Sequence, residues 1–183
     1  AALKDNFDSA NAKLWDVVGS GWSYNGGILI QTVPSRDKQF ARSKNSHPAD
    51  FDLTLDFRTT GGTTYKSVGI RFDVIDDGKN SHTVYSSAYE KGPKVQVSHT
   101  HDSKTTYPDA RASYPVKVDE DYQLQVQVRG KLINVSLNDK FLIAYNLPNR
   151  NANGRIELFA FDATADFDSI EVQPPSKDAE LMK

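Results

Sequence analysis

The stretch YQLQVQVRGKLINVSLNDKFLIAY, Tyr122 to Tyr145, alternates apolar and polar residues, breaks at a glycine turn, and alternates again. In its first run Tyr122, Leu124, Val126 and Val128 fall on one side and Gln123, Gln125 and Gln127 on the other. In the second, Ile133, Val135 and Leu137 oppose Asn134 and Ser136. Successive side chains of a strand point to opposite faces, so each run is a strand with one buried face. RGK (Arg129–Lys131) and ND (Asn138–Asp139) supply the turns. The same period recurs in FDLTLDF (Phe51–Phe57), VGIRFDV (Val68–Val74) and VQV (Val95–Val97), bounded by GG at Gly61–Gly62 and DDGKN at Asp76–Asn80. No long helical period competes. Many short strands joined by turns predict an all-β fold, a two-sheet antiparallel sandwich or jelly roll.

The chain has 183 residues and a formal net charge of -2. That length suits one domain, with the sandwich expected over residues 1–173. PPSKDAELMK, residues 174–183, opens with two prolines that cannot donate to a sheet ladder and is expected to be a tail or linker. Scattered Lys and Arg on a weakly acidic chain give no footprint for nucleic acid, whose affinity rests on neutralising phosphates. Cysteine is absent, which removes disulfides, thiol nucleophiles and thiolate metal sites. No apolar run reaches membrane-spanning length. The leading AAL fits the remainder of a cleaved signal peptide as well as an arbitrary start, and an extracellular, secreted protein is expected.

GRIELFAFDATADFDSIEV, Gly154 to Val172, breaks the one-sided rule. Ile156, Leu158 and Ala160 take one face of its first strand, while Phe159 and Phe161 share the other with Glu157. The two phenylalanines are therefore either a second core or the floor of a surface that touches a ligand.

The order of features resembles a known group. NFDS (Asn6–Ser9), WDVVGSGWSYNGGILIQT (Trp15–Thr32), ADFDLTLDFRT (Ala49–Thr59) and SVGIRFDVIDDGKN (Ser67–Asn80) resemble concanavalin-like sandwich domains of secreted carbohydrate-active proteins. YQLQVQVRGKLINVSLNDKFLIAY followed by NGRIELFAFDATADFDSIEV resembles the final strands of family 66 carbohydrate-binding modules. Those modules accompany fructan-degrading enzymes and bind fructose units of levan. The FDAT tetrad (Phe161–Thr164) is the most telling element, with Phe161 where the family often has tryptophan. A second departure is Asp73 after Phe72, where an arginine is common; Arg71 stands before that phenylalanine instead.

A sugar site on a sandwich needs an aromatic surface for the apolar side of the ring and planar polar groups for the hydroxyls. Val68, Ile70, Phe72 and Val74 are expected to face the core, leaving Ser67, Gly69, Arg71 and Asp73 outward, with Gly69 permitting close approach. The alternative is an ordinary Arg–Asp pair on a wet face. Tyr85 and Tyr89 share a face of HTVYSSAYE and are candidate stacking platforms, or else half-buried edge tyrosines. Phe161 and Asp162 are expected near the site. Trp15 and Trp22 flank the Gly19–Gly21 turn and read as structural. The pair His99 and His101 in HTH shares a strand face but has no further metal spacing. Asp5, Asn6 and Asp8 near the start are expected to meet Asp168 of the last strand, an oxygen set that suits a structural calcium, against the reading of turn and cap chemistry.

Asp52 with Asp56, and Glu157 with Asp73, are the carboxylates that share strand faces and could pair as acid and base, but outward carboxylates of alternating strands are mostly solubilising. The Glu-x-Asp-x-x-Glu motif of laminarinase-like jelly rolls and the GxSxG elbow are both absent. The expectation is a noncatalytic module for fructan or another exposed glycan, tethered to the catalytic domain of a larger secreted enzyme. Two alternatives stand beside it: a concanavalin-like glycoside hydrolase acting on a disaccharide or keto-sugar, and an adhesion or structural domain without a sugar site.

Overall fold

The computed structural model describes residues 2–176 and 180–183. Its strands are β1 (Leu3–Asp5), β2 (Trp15–Val18), β3 (Trp22–Tyr24), β4 (Leu29–Gln31), β5 (Phe40–Ser46), β6 (Phe51–Ile75) and β7 (Asn80–Ser87). There follow β8 (Lys94–His101), β9 (Lys104–Thr106), β10 (Arg111–Ser113), β11 (Asp121–Arg129), β12 (Leu132–Leu137), β13 (Lys140–Asn146) and β14 (Arg155–Gln173). Every pairing among them is antiparallel.

Two layers are built around the long strands β6 and β14, which lie side by side. The first layer runs β13, β12, β11, the first half of β6 and the second half of β14, whose far edge takes β1 and β4. The second runs β10, β8, β7, the second half of β6, the first half of β14, then β5 and β2. Both long strands change layer at one place. Gly62 (φ 145°) faces Ala163 there, next to the left-handed Asp162 (φ 53°). A Cβ on Gly62 would come within 2.2 Å of the Asp162 carbonyl oxygen, so only glycine fits the crossing. The result is a two-sheet antiparallel sandwich, as the strand pattern predicts.

The first layer keeps the one-sided rule. Leu53, Leu55 and Phe57 are buried in register with Val126, Leu124 and Tyr122, while Asp52, Thr54 and Asp56 on the opposite face stay half exposed. The second layer does not. Ser81 to Ser87 of β7 and Ile156 to Ala160 of β14 are buried on both faces. Its inner face joins the main core, and its outer face carries a separate apolar cluster.

Trp15 and Trp22 serve the fold. Trp15 is buried and its indole N–H donates to Asp5 Oδ2 at 2.7 Å, while Trp22 stacks on Phe167 with ring centroids 6.1 Å apart. β14 ends at Gln173. Of the expected tail, residues 177–179 lie outside the described residues, and Met182 exchanges two backbone hydrogen bonds with the Asn134 carboxamide, at 2.7 and 2.8 Å.

Candidate functional site

The outer face of the second layer is built by strand register. Glu157, Phe159 and Phe161 of β14 stand opposite Arg71, Gly69 and Ser67 of β6. On the other side Glu157 and Phe159 meet Arg42 and Phe40 of β5. Gly69 is in turn opposite Tyr85 of β7, and Tyr85 is opposite Gln96 of β8. Because Gly69 carries no side chain, the Tyr85 and Phe159 rings on either side of it meet edge to face, 6.2 Å between centroids. Phe40, Tyr85 and Phe159 form a buried apolar floor with Phe161 packed half-exposed against it. The glycine is demanded by the neighbouring strand rather than by a ligand, since a Cβ there would fall 2.3 Å from the Val84 carbonyl oxygen.

Above this floor runs a chain of alternating charges. Glu157, almost fully buried, accepts from Arg42 Nε at 2.7 Å and from Arg71 Nη1 at 3.2 Å. Arg42 continues to Asp77 at 2.9 Å. Each guanidinium also lies over a ring, Arg71 at 4.0 Å from the Phe159 centroid and Arg42 at 4.7 Å from Phe40. Burial works against both charges. For Arg42 the hydrogen bonds to Asp77 and Glu157 outweigh it and raise the pKa above the ordinary value. For Arg71 burial wins over Glu157 and the pKa falls. Among the described residues only Nη1 of Arg71 has a side-chain acceptor, and the side chain is 27% exposed, so its remaining donors are free.

Tyr85 is a floor residue more than an open platform. Its hydroxyl donates to Gln96 Oε1 at 2.9 Å, and burial, with the nearby Tyr107, pushes its pKa up. Tyr107 comes from the segment between β9 and β10, is 63% exposed, and lies within electrostatic reach of both Tyr85 and Arg71. Phe40, Arg42, Gln96 and Tyr107 join the site without having been picked from the sequence. Phe40 and Arg42 carried a usable signal, an i, i+2 pair that must share a strand face.

Arg71, Tyr85 and Phe161 thus gather on one face, while Tyr89 lies two residues past the end of β7, against Tyr65. Asp73 does not share that face, contrary to the alternation. The ladder slips between Phe72 and Ile75, Asp73 is left-handed (φ 54°), and its side chain is fully buried at the end of the sandwich. There it accepts from Arg150 Nε at 2.7 Å and Nη2 at 3.0 Å, and from the Asn151 N–H at 3.1 Å. Asp162, on the Ala160 side of β14 by alternation, is also buried. Its carboxylate accepts from the Thr63 hydroxyl and from the Thr64 and Tyr65 N–H groups at 2.9 and 2.7 Å, with Arg36 at 3.7 Å. Burial opposes this charge, yet the hydrogen bonds prevail and lower its pKa.

The expected oxygen set does not assemble. Asp5 pairs with Ile170 across β1 and β14, but its carboxylate is taken by the Phe7 N–H (2.8 Å) and the Trp15 indole. Asn6 bonds Asp8, while the exposed Asp168 has its pKa raised by burial and by Asp121 and Asp56. Among the described residues no group of three or more His, Cys, Asp or Glu is placed to hold a metal.

The histidines are spent on structure. His101 is exposed, whereas His99 is buried and bonds His82, Nδ1 to Nδ1, at 2.7 Å. His82 Nε2 reaches the Asn149 carbonyl at 2.9 Å and His99 Nε2 reaches the Tyr145 hydroxyl at 2.9 Å. With both rings neutral, one proton assignment satisfies the chain: Tyr145 donates to His99, His99 to His82, and His82 to the carbonyl.

Residues 3–173 match the model of the 3-keto-alpha-glucoside-1,2-lyase-like domain family. No curated protein sequence matches the chain. Among solved structures, the chain is similar to a family 66 carbohydrate-binding module from Bacillus subtilis, with a TM-score of 0.75 and 20% identity over 89% of this chain and 97% of that one. It is also similar to a Bacillus licheniformis beta-glucanase, with a TM-score of 0.73 and 11% identity over 94% and 98% of the two chains. A family 43 glycoside hydrolase protein from Bacillus licheniformis gives a TM-score of 0.73 at 15% identity, over 94% of this chain and 39% of that one.

Proposed function

The chain belongs to the family of 3-keto-alpha-glucoside-1,2-lyase-like domains, and within it we propose, supported by the likeness in fold to a family 66 carbohydrate-binding module, that it is a noncatalytic carbohydrate-binding module whose ligand lies on the outer face of the second layer. The observation that carries this reading is Arg71, held over Phe159 by a cation–π contact and by Glu157 while its other donors stay free. An aromatic floor takes the C–H face of a sugar, and a planar guanidinium fixed beside it takes the hydroxyls. Glu157 has both carboxylate oxygens engaged by guanidinium groups, so its task here is to aim two arginines. Asp77 lies beyond Arg42, and a bridging guanidinium stands where hydrolysis by two carboxylates needs open space. The ligand is a levan-type fructan or another exposed glycan. The module serves a catalytic domain of a larger secreted enzyme by keeping it on its polysaccharide.

The family description favours a second reading, elimination across C1 and C2 of a 3-keto-glucoside. That reaction takes the proton beside the ketone and expels the group at the anomeric carbon, and Glu157 is the carboxylate it would use. Two measurements divide the readings. A binding module is retarded in an affinity gel cast with its polysaccharide and releases no product from a 3-keto-glucoside. Product that scales with protein and vanishes in Glu157→Gln moves the assignment to the enzyme.

A further inference from the structure

Beyond Ser67 and Ser87, the same face continues to a second aromatic group. Tyr85 and Ser87 of β7 lie on the outer side, and Tyr89 follows just past the strand's end, after Ala88 of the core. Tyr65 lies against Tyr89 with ring centroids 5.5 Å apart, and Arg36 sits 5.3 Å from the Tyr65 centroid. Tyr65 is nevertheless 44% exposed, and Arg36 56% along its side chain.

Much of the local structure holds this exposed ring in place. The Tyr65 N–H is fixed by the buried Asp162 carboxylate, and its carbonyl accepts from the Ser87 hydroxyl. The next residue, Lys66, is left-handed (φ 49°), as is Asp162 (φ 53°). Non-glycine residues in that region are held only where their surroundings over-determine them, and such positions cluster at ligand clamps. Tyr65 lies within β6, and the buried Asp162 carboxylate and the Ser87 hydroxyl fix its backbone while its ring stays exposed. Such fixing is what a preorganised contact surface needs.

Resting on the glycan reading above, we propose that Tyr65 and Tyr89, with Arg36, form a second sugar subsite, and that the ligand is an oligosaccharide chain running along β6 and β7 from Arg71 to Tyr65. The four steps from Gly69 to Tyr65, with the left-handed Lys66 among them, span at most about 13 Å, room for a chain of more than one ring between the two aromatic groups. A protein that read only a terminal sugar would use the Arg71 end alone.

The test is binding of the whole chain to length ladders, from one unit upward, of levan-, inulin-, xylan- and β-1,3-glucan-derived oligosaccharides. On the ladder that binds, affinity rises with length, and Tyr65→Ala and Tyr89→Ala each remove that rise, roughly tenfold on the longer members. The shortest binder is unaffected, and Tyr65→Phe retains the rise. Arg71→Ala weakens every member alike. Unchanged melting of the Tyr65 variants establishes that they fold. A flat dependence on length, or a Tyr65→Ala profile that superimposes on the wild type, overturns the second subsite and leaves the first standing. If no member of any ladder binds the wild type, the glycan reading falls, and the subsite with it.

Discussion

Asp73 and Arg150 form a two-pronged ion pair, 2.7 and 3.0 Å long, inside the end of the sandwich where β6 slips its register against β7. The same guanidinium caps the carbonyls of Gly130 (2.6 Å) and Ala49 (2.7 Å), so one arginine ties three separate segments. Removing one partner of a buried pair leaves the other charge without compensation. Asp73→Ala is therefore expected to lower stability by about 3–5 kcal/mol, read from chemical denaturation. Glycan affinity of the folded fraction should be unchanged, because Asp73 is not on the binding face. A variant that melts like the wild type but binds weakly would return Asp73 to the site.

Arg71 and Asp162 should separate cleanly. Arg71→Ala is expected to reduce glycan affinity by about 1.5–3 kcal/mol, the range for a hydrogen bond to a charged group, with only a modest fall in melting because Arg42 still pairs the buried Glu157. Asp162→Ala frees the Thr64 and Tyr65 N–H groups and should lower stability by about 1–3 kcal/mol. Calorimetric titration beside thermal melting distinguishes the two, and equal profiles for both variants would be inconsistent with the structure.

Gly69→Ala places a methyl 2.3 Å from the Val84 carbonyl oxygen and 2.6 Å from the Tyr85 Cα. Strands β6 and β7 must part, at about 1–3 kcal/mol for an overpacked site. The Tyr85 ring should lose its fixed seat against Phe159, which near-ultraviolet circular dichroism reports as a weakened tyrosine signal.

Acid should destabilise the fold before the carboxylates titrate. Burial lowers the pKa of His47, His82 and His99, the last to about 4, with His82 adding to the effect on His99. In the unfolded chain these rings protonate near pH 6.5, roughly their unperturbed value. Between the two values the unfolded state binds more protons, so stability rises with pH through that window. It is complete above about pH 6.5 and lost progressively towards pH 4. Melting temperature measured from pH 7.5 to 4 should fall along this course and fall less in His99→Gln; a flat curve would count against neutral buried rings.

Layer one was legible because each of its strands has one wet face. Tyr122 to Val128 and Phe51 to Phe57 declare their inner residues by strict alternation, and the structure pairs them as written. The second layer hid its logic in register. Nothing near Glu157 in the sequence indicates Arg42, which is 115 residues away and becomes its neighbour only when β14 pairs with β5. Asp73 leaves the face its position implies because alternation assumes extended backbone and Asp73 is left-handed. Asp162 is left-handed too, but by alternation it stands on the Ala160 side of β14 and its carboxylate stays buried there. Short acidic side chains tolerate that conformation, so the residue type was itself a signal.

The two strands that cross both layers also govern how the molecule is made. β14 pairs with β1, β4, β5 and β6, so the closing strand supplies a hydrogen-bonded neighbour to segments spread from Leu3 to Ile75. Until Arg155 to Gln173 has left the ribosome, β5 and β6 have open edges and the halves of the core have no common seam. Contacts of such long separation carry their loop-closure entropy before they return any stabilisation, which slows folding. The sandwich closes only once β14 is available, and its exposed edges meanwhile depend on dilution or on chaperones to stay apart.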